Sequence, residues 1–186
     1  MDVVEALRAA NKEFVRRLRV VSAEDWSRLT PCDAWDVRAL VNHVIGGNRR
    51  YKMLLRGASA AEVDATRSAD HLGVDAVGSF LETASQLLGV FGEEGSMSRV
   101  GHHPAGDRTG AELADMRVLD ITVHAWDLAK ALDADEQLDA DLVEYALTCT
   151  GFIDTLRPKG YFAAPAGELP SDSSPLRHLL HLAGRR

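Results

Sequence analysis

Residues 109–132 read TGAELADMRVLDITVHAWDLAKAL, and the period of this stretch decides the fold. Leu113, Met116, Leu119, Val123, Trp126 and Leu128 recur mostly at three- and four-residue steps, the spacing of a helix that buries one face. Thr109 followed by Glu112 has the form of a capping box, in which the hydroxyl caps a free backbone N–H and the carboxylate reaches back. The pattern predicts a helix over about 110–132. Within it Asp120 and His124 stand four residues apart, so both side chains face the same way.

The same period runs through most of the chain. Residues 2–20 repeat apolar side chains at Leu7, Ala10, Phe14 and Leu18 and predict a first helix. Ser22, followed three residues later by Asp25, predicts a short helical turn. Asp36, placed as cap or first-turn acid, opens a second helix through Leu40, Val41, Val44 and Ile45 to about Arg56, and this helix carries His43. Gly46-Gly47 in its middle costs about 1 kcal/mol per glycine relative to alanine, so close approach of a neighbouring helix or a ligand is expected there. Residues from Gly57 onward read as a loop or a short helical turn, and 74–92 as a third long helix. Pro104 and the glycines around it make 97–108 irregular or weakly extended. A further helix is expected from Asp139 or Asp141 to the Arg157-Pro158 stop. A loop over 159–174 then leads to a short terminal helix, Leu176 to Ala183, opened by Pro175.

The expected fold is therefore all-α, a four-helix bundle with additional short C-terminal helices. With 186 residues the chain suits one domain over 1–186, with a core of about 2–157 and an extension over 158–186. A net charge of −7 and the absence of clustered Lys and Arg argue against nucleic acid or an anionic membrane as partner. No run of about eighteen apolar residues occurs and the start carries acids, so a cytoplasmic protein is expected. Cys32 and Cys149 fit no metal or redox spacing and are expected as free thiols.

Asp120 and His124 would be an ordinary polar pair on an exposed helix. Among Leu119, Val123 and Trp126 they sit in a segment that reads as buried, where an unpaired carboxylate is costly. A carboxylate and an imidazole at this spacing can hold a divalent metal if another helix brings a third ligand, and His43 is the candidate. Asp127 lies where it can bond a ligand imidazole or pair with an arginine. Trp35 and Trp126 read as core or pocket walls, and Asn48 and Arg49, about one turn beyond His43, as an exposed face rather than the lining of a pocket mouth. His102-His103 are not expected to form a second metal site, whereas His178 and His181, three apart on the terminal helix, fit either a metal pair or the polar face of a short amphipathic helix.

Residues 35–48 (WDVRALVNHVIGGN) together with 120–129 (DITVHAWDLA) resemble the DinB/YfiT-like superfamily. They are most similar to the actinobacterial branch that includes the metal-binding domain of mycothiol-dependent maleylpyruvate isomerase. Thr30-Pro31-Cys32 and the stretch 179–184 share the likeness, so it spans most of the chain.

The resemblance implies a bundle carrying one divalent metal, zinc or nickel, held at the positions of His43, Asp120 and His124. Glu stands in the isomerase where this chain has Asp120, one methylene shorter. The isomerase's C-terminal domain is not expected here. Three protein ligands leave a coordination position open, as in catalytic zinc sites. The resemblance places the thiol of mycothiol there as cosubstrate, for isomerisation of a small electrophile or for S-transfer. The rival expectation is a non-catalytic metal-binding module serving dimerisation or ligand sensing. A homodimer is expected in either case.

Overall fold

The computed structural model describes residues 1–32, 35–165 and 167–185. Four long helices form the bundle: α1 (Val3–Leu18), α2 (Val37–Leu55), α4 (Ala76–Phe91) and α5 (Gly110–Ala131), with a short α3 (Ala60–Asp64) between α2 and α4. Each long helix begins at a side-chain cap. Asp2 accepts from the backbone N–H of Val4 and Glu5, Asp36 from that of Ala39 and Asp75 from that of Gly78. Thr109 and Glu112 close the expected capping box at the start of α5. These bonds satisfy N–H groups that have no partner inside the helix, which is why the chain enters each helix where it does.

α1 and α2 each pack against both α4 and α5. Their apolar stripes meet in one core that includes Leu7, Phe14, Leu40, Val44, Phe80 and Ile121. Phe14 and Phe80 lie with ring centroids 4.9 Å apart. A second, smaller core forms between the other face of α5, at Leu119 and Val123, and α6 (Ala140–Thr148), α7 (Gly151–Leu156) and α8 (Pro175–Leu182). α5 therefore serves two cores and is buried nearly all round, charged side chains such as Arg117 and Asp127 included.

The helix expected from about 139 to 157 is two helices, broken at Cys149 and Thr150. Thr148 and Thr150 turn their hydroxyls onto the carbonyls of Tyr145 and Leu147, and Cys149 and Thr150 tighten to three-residue backbone bonds. Gly151 follows, with its low helix propensity, so the helix restarts rather than continues. The weakly extended stretch contains a two-stranded antiparallel ladder, β1 (Val100–Gly101) with β2 (Arg108–Thr109). Gly101 fits there because an added Cβ would lie 2.8 Å from Leu113 Cδ1. Among the described residues no helix is long and apolar enough to cross a membrane.

Candidate functional site

α2 and α5 lie side by side, and this contact brings together the three residues that the sequence singles out. His43 Nε2 stands 3.2 Å from Asp120 Oδ1, and His124 Nε2 stands 3.4 Å from the same oxygen. Ligand atoms of the three lie within 4.8 Å of one another. The side chains of His43 and Asp120 keep 20% and 25% of their surface exposed. They face a cavity of about 900 Å³ that Trp35, Tyr51, His103 and Tyr161 also line. Two imidazole nitrogens and one carboxylate oxygen converging at a cavity wall form a donor set that suits a divalent transition metal.

Surrounding groups fix each member. Trp35 leans on both imidazoles, with ring centroids 4.5 Å from His43 and 5.6 Å from His124. His124 donates Nδ1–H to Asp127 Oδ2 at 2.9 Å, which leaves Nε2 as the nitrogen facing Asp120. Asp127 is itself gripped by Arg185, through Nε at 2.7 Å and Nη2 at 2.8 Å. Both roles considered for Asp127, imidazole partner and arginine partner, are thus present. Arg185 Nη2 also lies 3.0 Å from Cys32 Sγ, so the thiol sits against the same cluster. Cys32 and Cys149 are both free.

Asp120 carries a second partner. Its Oδ2 bonds the fully buried guanidinium of Arg117, which also donates to the carbonyl of Val44 and, at 2.8 and 3.1 Å, to Asn48 Oδ1. This explains Gly46-Gly47. An added Cβ at Gly47 would lie 2.5 Å from Arg117 Nη1, and one at Gly46 would lie 2.5 Å from His71 Cδ2 and 2.6 Å from Arg50 Nη1. The close approach expected from the glycines comes from side chains rather than from a helix backbone. Asn48, expected on an exposed face, is fully buried because it is the acceptor that Arg117 requires; Arg49 beside it is exposed.

The charges follow from these contacts. Burial pushes the Asp120 carboxyl up, yet the two imidazoles outweigh it and hold the group well below the usual carboxylate range. Burial likewise opposes charge on His124, and Asp120 and Asp127 overcome it and raise this imidazole well above its ordinary value. His43 is pushed down to about 4 by burial, against the pull of Asp120. The neighbouring carboxylates thus support charge on His124, while burial keeps His43 neutral.

Arg117, Arg185 and Cys32 were not singled out as site residues. One arginine on an apolar-periodic helix carries no sequence signal of burial, and the only hint at Arg117 is the glycine pair opposite it. His102 is exposed and bonded to Asp107, whereas His103 is buried and lines the cavity. His178 is exposed and His181 is half-buried on α8. None of these four histidines joins a metal-ligating group among the described residues.

A family model described as the mycothiol maleylpyruvate isomerase N-terminal domain matches residues 7–129. The matched stretch runs from α1 nearly to the end of α5 and includes His43, Asp120, His124 and Asp127. Two uncharacterized proteins of Mycobacterium tuberculosis, from different strains, are 30% identical over 142 residues, 76% of this chain and 74% of theirs. Among solved structures, a mycothiol-dependent maleylpyruvate isomerase shares the fold with a TM-score of 0.61 at 15% identity, over 80% of this chain and 66% of its own. The DinB-like bundle expected from the sequence is thus the fold observed. The chain belongs to the mycothiol maleylpyruvate isomerase N-terminal domain family.

Proposed function

We propose that this chain is a metal-dependent enzyme that uses a low-molecular-weight thiol, mycothiol, to isomerise a small electrophile, or that joins the thiol to it through sulfur with loss of a leaving group. One observation carries the reading: His43, Asp120 and His124 converge on one wall of a cavity, in a chain of this family. A divalent metal, zinc or nickel, held by these three side chains would supply the Lewis acidity that lowers the pKa of a thiol.

The chain's own residues prepare that site. Asp127 fixes the His124 ring, and Trp35 limits rotation of both imidazoles by packing against them at a tilt. Arg117 occupies Oδ2 of Asp120, leaving Oδ1 as the oxygen that faces the imidazoles. The cavity walls Trp35, Tyr51 and Phe152 shield a reacting electrophile from water. A thiolate delivered there can add to an activated double bond, permitting cis to trans isomerisation, or displace a leaving group. A single-domain unit working in the cytoplasm belongs to the same proposal.

The test is metal content. The purified chain is expected to hold about one metal per protein, and His43→Ala and His124→Ala are expected to lose it; metal retained in both variants sinks the site. The metal-loaded protein is then incubated with mycothiol and an electrophile such as monochlorobimane. Conjugation above background supports the enzyme, whereas none across several acceptors leaves the non-catalytic metal-binding module as the better reading.

A further inference from the structure

One wall of the cavity is a length of chain without regular structure: residues 160–164, between α7 and α8, all line it. Both ends of this stretch are tied down. At one end Lys159 Nζ donates to the carbonyl of Ala105 at 2.7 Å. At the other the carbonyl of Ala163 accepts from Arg157 Nε at 3.1 Å and lies so near Gly184 that an added Cβ there would sit 2.5 Å from its oxygen. Phe162 packs against the second core. Tyr161 is the member left over, with 39% of its surface exposed.

The Tyr161 side chain reaches the end of α3. Arg67 Nη2 donates to its hydroxyl at 3.1 Å, and the guanidinium carbon stands 5.7 Å from the ring centroid. Arg67 is itself anchored, Nε to Asp64 Oδ1 at 2.6 Å. The same ring faces His103, buried in the cavity wall, at a centroid distance of 6.4 Å. Among the described residues the bond to Arg67 is the one hydrogen bond that 160–164 make to any residue before α7. Gly160, directly before Tyr161, has φ +81° and open space around the position of an added Cβ, so the chain can turn there without meeting a wall.

We propose that Tyr161 and Arg67 form a gate across the mouth of the cavity, closed by their contact and opened when Tyr161 swings away about Gly160. Both side chains line the cavity and both are partly exposed, so their contact lies on its rim. A cation over a ring and one hydrogen bond to a neutral oxygen, both within reach of water, favour the closed arrangement about tenfold. Roughly a tenth of the molecules then stand open at any moment, which admits small molecules while keeping bulk water out most of the time. Side-chain and loop motions of this size are far faster than ordinary turnover, so the gate does not limit the rate. The gate depends on the proposed enzyme only for what it encloses; its opening is measured without metal or mycothiol.

The two cysteines supply the readout. Cys32 lines the cavity and reports access to it, whereas Cys149, 4% exposed in the second core, reports unfolding. Chelator-treated protein is mixed with N-ethylmaleimide, and the adduct at each cysteine is followed by peptide mass spectrometry. Arg67→Met and Tyr161→Ala are each expected to speed modification of Cys32 at least about threefold, with Cys149 unchanged. Tyr161→Phe keeps the ring beside the guanidinium and loses only the hydroxyl, so its rate should fall between those of the parent and Tyr161→Ala. The double variant Arg67→Met with Tyr161→Ala should be no faster than the faster single one, because one contact can be broken only once. Cys32 reacting at the parent rate in either single variant, gains that multiply in the double variant, or Cys32 and Cys149 accelerating in step overturns the gate. Faster Cys32 modification in a chain that never holds metal keeps the gate and removes the proposed enzyme; metal bound by a chain whose Cys32 rate ignores both variants does the reverse.

Discussion

Arg117 bonds Asp120 across one turn of α5, on the carboxylate oxygen turned away from His43 and His124. The guanidinium is fully buried, and besides this ion pair its acceptors among the described residues are the neutral Asn48 and Val44. Asp120 therefore balances a buried cation at the same time as it faces two imidazoles.

Asp120→Asn should be costly even in the absence of any metal. It strands Arg117 without an anion, a loss of about 3–5 kcal/mol in urea denaturation. Arg117→Met combined with Asp120→Asn should cost less than the sum of the two single changes, with a coupling of about 1–3 kcal/mol. Additive losses would show that the pair is not energetically linked.

Gly47→Ala and Gly89→Ala should move stability in opposite directions. A methyl at Gly47 meets a guanidinium pinned by Asp120, Asn48 and Val44, so overpacking of about 1–3 kcal/mol outweighs the gain of about 1 kcal/mol in helix propensity. Gly89, exposed on α4 with nothing near the added Cβ, should gain about 0.5–1 kcal/mol instead. Paired denaturation curves read both signs.

Asp127→Asn should weaken the metal site without removing a proposed ligand. The His124 ring loses its charged acceptor and Arg185 its carboxylate, so chelator competition is expected to show metal affinity about 10–100-fold lower. Unchanged affinity would mean that Trp35 alone positions the ring.

Stability should fall as the pH drops from about 7 to 5, in part through His103. Its folded-state value lies at about 4, below the ordinary histidine value, so the unfolded chain binds the proton first and acid favours unfolding. The loss begins below about pH 6.5 and levels off near pH 4, and His103 should account for roughly 1–2 kcal/mol by pH 5. The facing groups Arg67, Arg108 and Lys159 all oppose charge on this imidazole. His103→Phe should flatten this part of the profile, and a profile unchanged by that variant would place the titration elsewhere.

Much of the bundle was legible because α1, α2, α4 and α5 each bury a stripe at helical period behind an Asp or Thr cap. The break at Cys149 was not, because Leu142, Tyr145, Ala146, Ile153 and their neighbours keep the apolar period across it while two threonine hydroxyls and Gly151 end the helix locally. The His43, Asp120 and His124 group was legible as residue types at a spacing, and their meeting depended on α2 lying beside α5. Arg117, Arg50 and Arg185 were invisible for a physical reason. Nothing local distinguishes a solvated arginine from a buried one; the difference lies in Asp120, in the carbonyl of His43 and in Asp127, which only the tertiary fold brings near.

The grip of Arg185 on Asp127 joins positions 58 residues apart. It acts as a non-covalent staple that pins the residues just after α8 to the C-terminal part of α5, so the C-terminal layer cannot detach while the His124 support stays whole. Fluctuations of that layer and occupancy of the cavity are thereby thermodynamically linked, and a molecule that holds His124 in place should slow amide exchange in α8 without touching it.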